Sequence, residues 1–232
     1  MILYVKDSLR IQLDDAMEMT REASYFLRAR NNILEILEAR GFNVSSLVAE
    51  GLEEVVELFR DPKQIKLSYY IPHNDDEGRM CKVLFGQSIA SLLKDVEKEV
   101  TDTESESHEK IEPERDEVVL IVFGKLGDTD IEKTILRARK LKLQIDAIHI
   151  MNLQFNPLNH IDVPYYEPVP IGGEKEKEIL DSVGVKKLKN FPLIRSYDII
   201  SRLLGLRPNQ MVLVTSKSPA VRSVKIRVCV DS

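Results

Sequence analysis

Apolar residues recur at helical spacing near the start of the chain. Phe26, Ile33, Leu34 and Leu37 fall on one face, and the pattern predicts a helix over residues 8–40 with Ser8 as its N-cap. Gly41 ends the run, and Phe42 is placed to pack back across the C-cap. A second helix is predicted from Ser45 or Ser46, with Leu52, Val55, Val56 and Phe59 on one face and Asp61-Pro62 as its stop. Two strand-like segments follow, QIKLSYYI (64–71) and RMCKVLFG (79–86), and the polar stretch PHNDDEG between them marks a hairpin. ASLLKDVEKEV reads as a short helix. The next stretch, TDTESESHEKIEPERDE, has almost no apolar content to bury, so a mobile acidic loop is expected over about residues 100–116.

From residue 117 the period changes. EVVLIVF (117–123) is a continuous apolar, β-branched run, as in a strand buried on both faces. TDIEKTILRARKLKL is an amphipathic helix opened by Asp128 or Thr129, and DAIHIM (146–151) is a second buried strand. Strand, helix and strand at this spacing imply a parallel crossover, so an α/β layer is expected over residues 1–152. The proline-rich segment 152–173 ends in Gly172-Gly173 and reads as a semi-extended connector with a domain boundary at its start. In the expected second domain, residues 153–232, EKEKEILDSVGV is a short polar helix with Gly184 near its end. A helix beginning at Ser196 or Asp198 then closes at Gly205, and QMVLVTSK and SVKIRVCV are two strands joined by SPAVR. The joint LLGLRPNQMVLV has the residues a tight connection needs. Gly205 can take φ > 0, Pro208 pins φ in the reversal, Asn209 tolerates a turn, and Met211–Val214 continue as a strand. The expected architecture is thus an α/β domain followed by a small α+β (αββ) domain, the latter too small to be very stable without a larger support.

Composition narrows the class. With 232 residues and 43% hydrophobic content the chain can bury a real core. No apolar run approaches the ~20 residues that span a bilayer, and the early acidic residues do not suit a signal peptide. Cys81 and Cys229 lack metal-type spacing and read as free thiols of a reducing compartment. The net charge of −5 is uneven: residues 174–232 hold 12 Lys and Arg against 6 Asp and Glu, leaving the rest strongly acidic. Overall acidity argues against a protein that grips nucleic acid by itself.

Several constellations could carry chemistry. His73, Asp75 and Asp76 cluster in the hairpin turn, where carboxylates are ordinarily solvated. A metal-dependent nuclease would need an acidic residue two positions before Lys125, and Phe123 stands there. There is no nucleophile elbow and no phosphate-binding glycine loop. Gly172-Gly173 reads as flexibility. No catalytic residue, metal site or cofactor is expected. Lys186, Lys187, Lys189, Arg195, Arg202 and Arg207 give the C-terminal part a basic face suited to an acidic partner.

The C-terminal residues resemble a known family, the fifth subunit shared by eukaryotic RNA polymerases together with its archaeal counterpart. The resemblance is carried by His160-Ile161-Asp162-Val163-Pro164-Tyr165-Tyr166, by Phe191-Pro192-Leu193-Ile194, by Asp198, and by Leu204-Gly205-Leu206-Arg207-Pro208-Asn209-Gln210. Val212, Val214, Arg222 and Arg227 continue it on the two closing strands. Upstream, RNNILEILEARGFNV and the strand–helix–strand around EVVLIVFGK resemble the N-terminal domain of the eukaryotic members more loosely. The family's second histidine is Tyr166 here, the proline after the helix-start aspartate is Ile199, and the glycine before the final strand is Val221.

The resemblance implies a non-catalytic subunit of a nuclear, or virus-encoded, DNA-dependent RNA polymerase. Its C-terminal module would dock on the largest subunit through His160, Val163, Pro164, Asp198, Arg202, Gly205, Arg207, Pro208, Gln210, Arg222 and Arg227. Its N-terminal domain would form part of the jaw beside downstream duplex DNA, with Lys125 and Thr129 nearest to it. Asp128 and Asp130 in that loop would repel phosphate. The alternatives are an adaptor that reuses the module in another complex, and a nuclease-like α/β protein.

Overall fold

A computed structural model of the chain describes residues 2–47, 67–101, 111–185, 187–217 and 223–231, with backbone alone for 2–19. Most of the helix expected from Ser45 or Ser46 to Asp61-Pro62, most of the acidic loop, Lys186 and the SPAVR link with Arg222 lie outside the described residues, and residues 45–47 form a turn.

The first helix, α1 (Ile2–Ala39), begins earlier than expected. Ser8 is inside it and is not its cap. Residues 2–7 contain neither Gly nor Pro, so no backbone feature stops the helix there. Its C-terminus is as expected. Gly41 takes φ +95, and Phe42 donates its N–H to the Leu37 carbonyl at 3.0 Å while its ring is fully buried.

The first sheet comprises β1 (Leu67–Pro72), β2 (Met80–Gly86), β3 (Glu117–Val122) and β4 (Gln144–His149), in that spatial order. β1 and β2 form the expected antiparallel hairpin, whereas β2, β3 and β4 are parallel neighbours. Between them run α2 (Ile89–Thr101) and α3 (Asp128–Leu141). Alternate strand residues serve two cores. Val83, Phe85, Val119, Ile121 and Ile148 pack with Phe26, Ile33 and Leu37 of α1, and Val118, Leu120, Ile145 and Ala147 pack with Leu92, Val96 and Ala138 of α2 and α3. β3 is therefore buried on both faces, which explains its unbroken apolar run.

Two local expectations change. Asp128 is the first residue of α3, but the N-cap is Gly127, so neither Asp128 nor Thr129 caps that helix. The Asp130 carboxylate reaches back to accept the Gly127 N–H at 3.2 Å. The C-terminal end of the acidic segment does bury side chains. Ile111 joins the α2–α3 core, and Asp116 is buried where its carboxylate accepts the N–H groups of Met80 and Glu112 at 2.9 and 2.7 Å. Local polarity is a poor guide where a single apolar residue anchors a loop.

The second sheet also has four strands: β5 (Tyr165–Pro168), β6 (Leu193–Arg195), β7 (Met211–Thr215) and β8 (Val224–Val230), in the order β5-β7-β8-β6. β7 is antiparallel to both β5 and β8, and β6 runs parallel to β8. α4 (Glu174–Val183) covers part of one face and α5 (Ile199–Leu204) the other. The unit is thus more than αββ. The region read as connector contributes β5, and Gly172-Gly173 is a defined turn. Gly172 takes φ +74 and gives its N–H to Glu176, and Gly173 caps α4. The chain has mixed α/β content in two small mixed sheets with helices.

Candidate docking surface and the joint behind it

The element that carries the resemblance is a helix turned directly into a hairpin. Asp198 starts α5 by accepting the Ile200 N–H at 2.8 Å, as an N-cap carboxylate should. Gly205 ends it at φ +61, with the Leu206 N–H returning to the Ser201 carbonyl at 2.9 Å. The chain then reverses over Arg207–Gln210, where the Gln210 N–H meets the Arg207 carbonyl at 3.0 Å. Pro208 at the second position and Asn209 at φ +67 in the third are the requirements of a type II turn. The Gln210 side chain completes it. Its Oε1 accepts the Arg207 N–H at 2.9 Å, and its Nε2 donates to the Val169 carbonyl at 3.2 Å beside β5. The Asn209 N–H donates to the Cys229 carbonyl and the Cys229 N–H to the Gln210 carbonyl, both at 2.8 Å, which closes the reversal onto β8.

Three of the residues expected to meet a partner contact the first part of the chain, although only Arg202 is buried and Arg207 is exposed. The Arg202 guanidinium is buried and donates to the Ala147 carbonyl of β4. Arg207 Nε donates to Gln144 Oε1 at 3.0 Å. Gly205 lies against Arg40, whose Nη2 is 2.6 Å from the Glu117 carboxylate. Leu203, next to Arg202, belongs to the α1 core of the first sheet. The turn therefore joins the two sheets before it can join anything else. Sequence reasoning missed this joint because its partners lie far apart in the chain: Arg40 and Glu117 are separated by 77 positions.

The joint is rich in charge. The Glu117 side chain is 1% exposed and also lies 3.8 Å from Arg79, while the Arg40 side chain is 10% exposed. Asp146, two residues into β4 from Gln144, shares this environment. Burial pushes its carboxyl up from the ordinary 3.8 to about 7, with Arg40 and Arg202 pulling the other way and Glu117 adding to the rise. Clefts flank the joint. One of about 370 Å³ runs past Arg139, Asp146 and Pro208, and a groove of about 930 Å³ runs past Arg40, Arg79, Tyr165 and Gln210.

The HIDVPYY segment forms a turn and then β5. His160 Nδ1 accepts the Asp162 N–H at 3.2 Å, the Val163 N–H returns to the His160 carbonyl at 3.2 Å, and Pro164 leads into the strand. Lys217 Nζ donates to the carbonyls of Leu158 and His160 at 2.7 and 3.0 Å, which ties this turn to the end of β7. Asp198 and Pro208 are exposed, and Arg227 is half-buried on β8. Val163 and Pro164 are half-buried.

The remaining candidates are structural. His73 packs edge-on to Phe42 at 5.0 Å, and its Nδ1 accepts the N–H groups of Asp75 and Asp76 at 3.2 and 3.1 Å. Each described histidine uses its ring this way, since His149 accepts from Met151 at 3.2 Å. Among the described residues no cluster of three or more His, Cys, Asp or Glu could hold a metal ion. Cys81 and Cys229 are buried free thiols. Burial raises Cys81 well above the ordinary thiol range and Cys229 to about 12. Lys125, between β3 and α3, and Thr129, in the first turn of α3 beside the exposed Asp128, are both exposed. No described helix is long and apolar enough to cross a membrane. No family model matches the chain, and no curated protein sequence matches it.

Proposed function

We propose that this chain is a non-catalytic subunit of a multisubunit DNA-dependent RNA polymerase. The observation that carries the reading is the αL-closed helix, type II reversal and antiparallel strand pair within residues 198–230, whose residues resemble the family's docking module in order and spacing. On this reading residues 153–232 dock on the largest subunit, and residues 1–152 project as a jaw-type domain near downstream DNA. The joint fits that division, because Arg202, Leu203 and Arg207 hold the projecting part to the docking part. Any DNA contact would be weak and independent of sequence, made by backbone amides and Lys125, since Asp128 and Asp130 oppose phosphate nearby. The test is affinity purification of the tagged full-length chain from its native cell or infection. Recovery of the two largest polymerase subunits in stoichiometric amounts is expected. Their absence, with another complex recovered, would favour an adaptor role.

A further inference from the structure

The groove of about 930 Å³ beside the joint is bordered by four arginines, Arg40, Arg79, Arg115 and Arg207, and the chain leaves much of their hydrogen-bonding capacity unused. Arg115 is engaged by Glu112 at 2.8 Å and Asp116 at 3.3 Å. The others are not fully engaged. Arg40 gives Nη2 to Glu117, but its side chain is only 10% exposed and its enclosed Nη1 has no hydrogen-bond partner among the described residues. Arg79 is 26% exposed, and its ion pairs with Glu117 and Asp76, at 3.8 and 3.9 Å, exceed hydrogen-bond length. Its enclosed Nε lacks a partner as well. Arg207 is exposed and gives only its Nε, to Gln144.

The nearby carboxylates do not use this capacity. Glu114 and Glu167 border the groove but are paired with Lys142 and Lys175, and Asp76 is 55% exposed. Glu117 is buried and does not border the groove, so it meets Arg40 and Arg79 from behind. Further behind, Arg202 is buried with its Nε unpartnered, and Asp146, which also faces Arg40 and Glu117, takes up a proton near pH 7. The joint therefore holds more guanidinium charge than carboxylate charge. A buried charged donor without an acceptor is costly, and for Arg40 and Arg79 the open side is the groove.

We infer that the Arg40–Arg79 end of this groove is a binding site for the phosphate group of a small phosphorylated molecule. Guanidinium forks present paired N–H groups that match phosphate oxygens. Here the forks come from separate elements: Arg40 follows the end of α1, Arg79 directly precedes β2, and Arg207 opens the type II turn of the second unit. Donors arriving from several elements suit a tetrahedral anion, whose acceptors point several ways, better than a planar carboxylate. The groove is far larger than a phosphate alone, and Tyr165, Tyr166 and Ile171 also line it. The phosphate is therefore borne on a body with aromatic or apolar surface. The site takes side chains from both sheet units, so its occupant braces the joint. The inference is independent of the polymerase reading.

The test is calorimetric titration of the purified full-length chain, at constant ionic strength, with inorganic phosphate, phenyl phosphate and benzoate. Saturable binding of phosphate is expected, with phenyl phosphate tighter and benzoate about tenfold weaker than phenyl phosphate. Arg79→Gln leaves the Arg40–Glu117 pair in place, so the far-UV spectrum is expected to be unchanged while phenyl phosphate binds about tenfold more weakly. Arg79→Lys keeps the charge without the fork and is expected to lose less. Arg207→Gln alters an exposed side chain, gives a second variant and is expected to weaken binding several-fold. Arg137→Gln, on α3 and outside the groove, is the control and is expected to bind as wild type. Absence of saturable phenyl phosphate binding by wild type overturns the inference, and so does wild-type affinity in both the Arg79 and Arg207 variants. Equal weakening in the Arg137 variant would mean diffuse surface charge and overturns it too. Benzoate bound as tightly as phenyl phosphate would make this a carboxylate site and overturn the assignment to phosphate.

Discussion

Gly205 offers a perturbation whose cost can be divided into two parts. At φ +61 any L-residue is strained, by about 1 kcal/mol for alanine and more for a β-branched side chain. The second part comes from Arg40. A Cβ on Gly205 would lie 2.5 Å from the Arg40 Cζ, so the guanidinium has to leave. It can swing toward the adjoining groove, but doing so abandons Glu117, a buried carboxylate whose next cation, Arg79, is 3.8 Å away. Uncoupling a buried ion pair costs on the order of 3–5 kcal/mol. Retention of Arg79 reduces that to about 2–4 kcal/mol, for a total near 3–5 kcal/mol. Gly184 supplies the control, since it has φ +67 with nothing within 4 Å of an added Cβ. Urea denaturation followed by circular dichroism is therefore expected to show Gly184→Ala losing about 1 kcal/mol and Gly205→Ala losing several times as much. In an Arg40→Met background the excess is expected to vanish, which a double-mutant cycle measures. Equal losses for the two glycine variants, within about 0.5 kcal/mol, would refute the claim that this turn is braced by the Arg40–Glu117 pair.

Asp146 makes the joint pH-dependent. Its carboxyl titrates near 7 when folded and near 3.8 otherwise, so the folded chain holds the extra proton and stability from this group is lost as pH rises through that interval. Asp146→Asn is expected to match wild type near pH 4 and exceed it above pH 7 in denaturant midpoints. Phe26→Ala, which empties a fully buried site edge-on to Phe85 at 4.8 Å, is expected to cost about 3–5 kcal/mol by urea melts. Asn209→Val is expected to lose about 1–2 kcal/mol through its positive φ, whereas Asn209→Gly is expected to be neutral or better. Both cysteines are expected to resist thiol reagents until the chain unfolds, which a colorimetric thiol titration with and without denaturant checks.

What could be read from the chain depended on how local its cause was. β3 announced itself because six consecutive buried positions leave no room for polar residues. Gly205, Pro208 and Asn209 were legible because a helix stop and a type II turn each need a particular residue at a particular place. β5 and β6 were not. Four and three residues, bordered by proline, give no usable alternation, and only their pairing with β7 and β8 makes them strands. Glu117 was legible as the first residue of a strand, but its burial was not, because the cation that meets it, Arg40, comes from the end of α1. For the same reason Arg202 reads as a surface cation although it is buried against β4, whereas Arg207 is exposed as read and also bonds Gln144. The helix stop and turn of residues 198–210 were visible in the chain, and their attachment to the first sheet was not.

The strand order β5-β7-β8-β6 bears on how the protein is made. β8 lies inside the sheet and is the sole neighbour of β6 among the described residues, yet it follows every other strand of that sheet in the chain. The second sheet must wait until residue 230 has cleared the ribosomal tunnel, while all strands of the first have already emerged. A premature stop before the codons of β8 would thus release a chain with a finished first sheet and an unclosed second one, a product for cellular quality control to remove.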